Sequence, residues 1–222
     1  MILENLNALA GGLFLLCSFG MVATRQVRGC LRMFIFQGLL LAASAFILSL
    51  LLQSWHVFAV GVINLISKPL LIPWVLRRTV GAEINARREI DQVLNIPTSL
   101  LLALLLVIAA YFMAMPLIAA GSGQQISINL PIGLAGLLLG AYTATVRREG
   151  VPLLLGLLAM ENSAFLAGIA IAPRLPLIAE LAIVSDVLIL SFIVGVLTRT
   201  LQQHIGTTRI GELSALKEEP RP

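Results

Sequence analysis

The stretch VPLLLGLLAMENSAFLAGIAIAPRLPLIAELAIVSDVLILSFIVGVLT, residues 151–198, decides the fold. It contains two apolar runs, about 151–172 and 177–198, separated by Pro173-Arg174-Leu175-Pro176. Each run is close to the roughly 20 residues an α-helix needs to cross the hydrocarbon core of a bilayer. In lipid the backbone must satisfy its own hydrogen bonds, so runs of this kind are helices. The short alternating segments of a membrane β-barrel are absent. Similar runs recur upstream at about 5–24, 33–53, 57–76, 98–118 and 129–146. The expectation is an all-α polytopic membrane helical bundle with seven transmembrane helices, covering residues 1–203. A polar cytoplasmic tail, 204–222, follows; it is either extended along a neighbour or disordered.

Composition agrees. Of 222 residues, 59% are apolar and 12% charged, with mean hydropathy +0.98. An ordinary soluble domain has about twice that charged share. Disorder would need low hydrophobicity and high net charge. No fibrous repeat is present. The start, MILENLNALAGG, lacks a positive n-region and reads as a retained first helix, not as a signal peptide.

The net charge of +4 reports topology. Thirteen basic residues fall in alternate links and the tail: Arg25, Arg28, Arg32; Arg77, Arg78, Arg87, Arg88; Arg147, Arg148; Arg199, Arg209, Lys217, Arg221. Only Arg174 falls on the other side. The positive-inside rule then puts the N-terminus outside and the C-terminus in the cytoplasm. The partner implied is the lipid bilayer, and no nucleic acid is expected. The link from Arg77 to Pro97 includes Glu83 and Arg87, an i,i+4 pair that supports a short helix. A solvated surface turn and a docking element for a cytoplasmic partner both fit it.

Cys17, Cys30 and two distant histidines form no metal or redox motif. There is no phosphate loop, metal-ligand cluster or serine nucleophile motif, so the chain has no catalytic site of its own. Gly133, Gly136 and Gly140 share a helix face and suit close packing. Residues 25–50 and 144–169 align without gaps at an offset of 119, pairing Arg28 with Arg147 and Ser44-Ala45-Phe46 with Ser163-Ala164-Phe165. This suggests a parallel repeat of helices 1–3 and 5–7.

Four ionisable residues lie inside the runs: Lys68, Glu161, Glu180 and Asp186. A charge at the bilayer centre costs about 2.5–3.5 kcal/mol on insertion scales. Lys68, Glu161 and Asp186 each fall within about 3 Å of the centre of their helices at 1.5 Å rise per residue. Glu180 sits about 11 Å nearer the outer surface and can snorkel. The three central groups can pair to hold the bundle, sit neutral, or relay protons, since their protonation states depend on one another. Pro69 follows Lys68 and Pro73 lies one turn on, so the helix should bend or open at the lysine. Asn64 can help hydrate the same place. Asn162, beside Glu161, can bond Glu161 or a neighbouring helix.

GLLAMENSAFLAGIA (156–170), ELAIVSDVLILSFIVGVLTRT (180–200), RIGELSALK (209–217) and SKPLLIP (67–73) resemble hydrogenase-4 component E. That family supplies a membrane subunit to group 4 nickel–iron hydrogenase complexes of the formate hydrogenlyase type, related to respiratory complex I. The last three helices are similar to complex I subunit K and to the small membrane subunit of multisubunit sodium/proton antiporters, which carry a glutamate in each of two helices. By that resemblance Asp186 matches the position in the last helix. Glu161 lies in the helix of the other, about one turn further along. The resemblance implies a bacterial inner-membrane subunit of an oxidoreductase complex, with Lys68, Glu161, Asp186 and Glu180 on a proton (or sodium) path supported by Asn64, Pro69 and Asn162. Its partners would be antiporter-like membrane subunits, a complex I-like membrane anchor and a soluble hydrogenase-like module. Nickel–iron and iron–sulfur centres would belong to those partners. A self-standing secondary transporter and a structural spacer are the other readings.

Overall fold

The computed structural model describes residues 2–85, 94–120, 124–171 and Gly195, with no side-chain description at 79–85 and 124–127. Its helices are α1 (Ile2–Ala23), α2 (Val27–Leu52), α3 (Trp55–Ile66), α4 (Ile72–Asn85), α5 (Ile96–Ala120), α6 (Gln124–Val146) and α7 (Gly150–Ile171). A single π-helical turn, Ser67–Leu71, joins α3 to α4, so Trp55–Arg78 forms one span. Among the described residues six helices are thus long and apolar enough to cross a bilayer; they overlie six of the seven expected runs, the second starting about six residues earlier, at Val27. The seventh run, 177–198, with Glu180 and Asp186, lies outside the described residues except for Gly195, which is helical and buried. The tail 204–222, Arg87 and Arg174 also lie outside them. The expected short helix after Arg77 is, as far as Asn85, a continuation of α4.

Short links make sequential helices antiparallel neighbours. Only Thr24–Gln26 separate α1 from α2, and only Arg147–Glu149 separate α6 from α7. At the α2–α3 corner Gln53 takes the left-handed conformation (φ 48°) and its N–H caps Ser49 O. Trp55 and Trp74 are exposed near the two ends of the third span. They stand about 28 Å apart along it at 1.5 Å per residue, close to the ~30 Å hydrocarbon thickness. Indoles at that spacing fit the two interfacial belts.

Between helices in lipid the hydrophobic effect offers little, so close packing must hold the bundle. The glycine stripe provides it. A Cβ on Gly133 would meet Ala167 N at 2.6 Å, one on Gly140 would meet Met160 N at 2.7 Å, and one on Gly156 would meet Ala144 N at 2.6 Å. The backbones of α6 and α7 therefore touch. Helix α1 packs on α6 and α2 on α7.

Candidate functional site

Lys68 owes its place to the prolines around it. Ile72 N–H bonds back five residues to Ser67 O, while Ser67 N–H bonds to Asn64 O and Ile63 O. The carbonyl of Lys68 would next take a donor from residue 72 or 73. Ile72 N–H is directed at Ser67 O and Pro73 has no N–H to offer, as the proline pair predicts. The result is a π turn, not a sharp break; such turns are frequent at functional sites. Helix α2 meets the turn through Gly38, where an added Cβ would lie 3.3 Å from both Lys68 Cβ and Pro69 Cδ.

From this turn Lys68 reaches α7. Its Nζ lies 2.7 Å from Glu161 Oε1, with side-chain exposures of 2% and 18%. The ammonium also sits 5.4 Å from the ring centroid of Phe165, one turn along α7, in cation–π range. The two sequence-predicted charges at one depth are therefore a buried ion pair. Its Coulomb gain must offset the desolvation of both groups, which makes such pairs poor stabilisers. Neither Glu161 Oε2 nor Asn64 Oδ1 has a hydrogen-bond partner among the described residues. Asn64 Nδ2 donates to Val60 O at 3.1 Å, on its own helix.

Asn162 turns to the neighbouring helix. Its Nδ2 donates to Gln37 Oε1 (3.1 Å), Gln37 Nε2 donates to Ser18 Oγ (2.9 Å), and Ser18 Oγ donates to Phe14 O (3.2 Å). This chain crosses α7, α2 and α1 at the depth of the ion pair. Toward the Arg-rich end lies an apolar layer of Met21, Val27, Leu31, Phe34, Ile72, Leu76 and, from α7, Val151, Leu154, Leu155, Leu158 and Ala159. Toward the other end lies a second, with Phe14, Leu41, Ala45, Leu48, Val57, Leu166 and Ile169. Among the described residues the polar layer is thus flanked by an apolar cluster on each side.

Two further buried polar groups lie outside this layer. Asn7, Ser44 and Asn129 are buried on α1, α2 and α6; Ser44 Oγ donates to Asn7 Oδ1 (2.6 Å) and Asn7 Nδ2 to Asn129 Oδ1 (3.1 Å). At the Arg-rich end Arg147 is 4% exposed, and its Nη2 donates to Met21 O, Val22 O and Thr24 O at 2.7, 3.1 and 2.8 Å. It caps the carbonyl end of α1, where the helix dipole favours a cation. Burial pulls this guanidinium below its ordinary value, and Cys30, Glu149 and Tyr142 oppose that pull. No group of His, Cys, Asp and Glu able to hold a metal occurs among the described residues.

The fold and this layer define a polytopic helical membrane protein with a buried ion pair at mid-depth. The chain is 31% identical over 209 residues, 94% of each protein, to uncharacterized protein Rv0085 of Mycobacterium tuberculosis (strain ATCC 25618 / H37Rv), and belongs to the same family. It is also 26% identical over 225 residues, 98% of each protein, to hydrogenase-4 component E of Escherichia coli K12 and of Shigella flexneri. No protein-family model matches the chain. No solved structure matches it.

Proposed function

We propose that this chain is a membrane subunit of a hydrogenase-like, complex I-related assembly, in which the Lys68–Glu161 pair passes protons, or sodium, sideways between neighbouring subunits. The full-length similarity to hydrogenase-4 component E supports the assembly. One structural observation favours the sideways route: the ion pair lies between two apolar layers. A self-standing transporter must open to each side in turn, whereas among the described residues the pair has an apolar cluster on each side. A proton arriving at Glu161 removes the counter-charge of Lys68, which then releases its own proton onward; one enters and one leaves. Asp186 is the next member of the row in this reading, with Glu180 nearer the outer surface. Asn64 and the π turn at Pro69 give the lysine room and an acceptor.

The partners are antiporter-like membrane subunits, a complex I-like anchor and a soluble hydrogenase-like module, which holds the nickel–iron and iron–sulfur chemistry. The chain sits in the bacterial inner membrane, N-terminus outside. The test is gentle-detergent purification of the tagged chain from its native membrane, with mass spectrometry of what accompanies it. Co-purification with hydrogenase-like and antiporter-like proteins is expected. Recovery alone, from membranes in which other complexes stay intact, would overturn the reading.

A further inference from the structure

Among the described residues α5 is the least covered span. Of its spanning window 17% is buried, against 44–61% for the other five. Its inner side is alanine: Ala103, Ala110 and Ala114 are fully buried, and such small residues let a helix approach its bundle closely. Its outer side carries Leu101, Leu104, Leu105, Ile108, Phe112 and Met115, all largely exposed. Lipid alone would satisfy an apolar face of this kind.

Two polar groups on the same stretch are not satisfied by lipid. From Leu100 to Leu117 the one polar side chain is Tyr111, and it is 54% exposed. It lies past the middle of α5 by about 4.5 Å along the axis. Helical side chains lean toward the N-terminus, which here is back toward the middle and away from the nearer interface. The phenol is therefore held at mid-depth, whereas the exposed indoles of Trp55 and Trp74 stand at the ends of their span. Its ring meets that of Phe112 edge-on, centroids 6.2 Å apart, and its hydroxyl bonds to nothing among the described residues. The second group belongs to the main chain. Pro116 lies inside α5 and has no N–H to offer the carbonyl of Phe112, four residues back. In hydrocarbon an unmet polar group is costly, and neighbouring helices are what meet it. Acyl chains offer neither donor nor acceptor.

We propose that the outer face of α5 around Tyr111 and Phe112 seats a transmembrane helix of a neighbouring subunit, one that brings uncharged polar side chains, hydroxyls or amides, to mid-depth. Hydroxyls and amides accept, as the phenol needs, and donate, as the carbonyl needs. Bonds of this kind hold membrane helices together. A second copy of this chain fits less well. Two copies in one membrane share an orientation, so the second phenol arrives at the depth of the first. The Phe112 carbonyl points the other way along the axis and stays unmet. The proposal rests on the reading that the chain is one subunit of a membrane assembly.

The test places p-benzoylphenylalanine at position 112 of the tagged full chain and irradiates native membranes. A covalent product with another membrane subunit of the assembly is expected, joined within one helical turn of a Ser, Thr, Asn or Gln. Tyr111→Phe keeps the ring and loses the hydroxyl; it is expected to lower recovery of that subunit with the chain about threefold. Recovery equal to wild type would overturn the role of the phenol. A covalent dimer of the chain, a link within the chain, or adducts to lipid alone, while other subunits still co-purify, would overturn the α5 surface and leave the assembly standing. Recovery of the chain with no other subunit would overturn both readings.

Discussion

Two buried cations face opposite fates in this molecule. Arg147, 4% exposed, is held by three backbone carbonyls, with the buried Glu149 close by. Lys68, 2% exposed, has one carboxylate oxygen at 2.7 Å and an aromatic face. The guanidinium is a planar, permanently charged fork suited to several fixed acceptors. The ammonium is a point charge on a flexible stem that can lose its proton when buried. An over-determined cation holds a structure together, and an under-determined one can change its state. The first closes the Arg-rich end of the bundle; the second sits on a turn that prolines have loosened.

The contrast between the two cations meets its hardest trial at Arg147. Arg147→Ala leaves the end of α1 uncapped and Glu149 buried without its cation. Removing one member of a buried charged set costs roughly 3–5 kcal/mol, so thermal unfolding in detergent should show a large loss of folded protein. A Tm within a few degrees of wild type would mean that the clamp is not structural. Lys68→Leu should cost less, about 1–3 kcal/mol, because Glu161 can take up a proton and become neutral. Adding Glu161→Leu should recover most of that, since a buried pair replaced by apolar residues is often neutral or stabilising. The smallest effect is at Gly38. Gly38→Ala places a methyl 3.3 Å from Lys68 Cβ and Pro69 Cδ, which the loosened turn can accommodate by a small shift. About 1 kcal/mol or less is expected, read from the same unfolding curves; a loss as large as that of Arg147→Ala would mean the turn is rigid.

The same contrast shows what the sequence makes legible. Runs near bilayer length place six spans, because lipid forces the backbone into helices. A charge inside such a run is costly enough to announce itself, so Lys68 and Glu161 stand out, and their equal depth anticipates the ion pair. The glycines of α6 are readable because their spacing returns to one face. Neutral polar residues give no comparable signal. Ser18, Gln37 and Asn162 belong to three different apolar runs, and the bond from Asn162 to Gln37 spans 125 positions. Asn7, Ser44 and Asn129 are hidden in the same way. Arg147 is visible in the sequence, but only as one more basic residue on one side. Its neighbour Arg148 is exposed; which of the two turns inward depends on where α1 ends, 123 positions away at Thr24 O. Helix α5 marks the opposite limit: 17% of its spanning window is buried, against 61% for α7, yet both read alike as apolar runs.

The decisive measurement is proton translocation by the assembled complex in sealed vesicles, with Lys68 and Glu161 both replaced by leucine and subunit content measured in the same preparation. Full assembly with translocation at least roughly tenfold below wild type is expected, since the pair carries protons while a buried ion pair contributes little to the fold. Wild-type translocation by the assembled double variant would contradict that role and make the pair a structural contact.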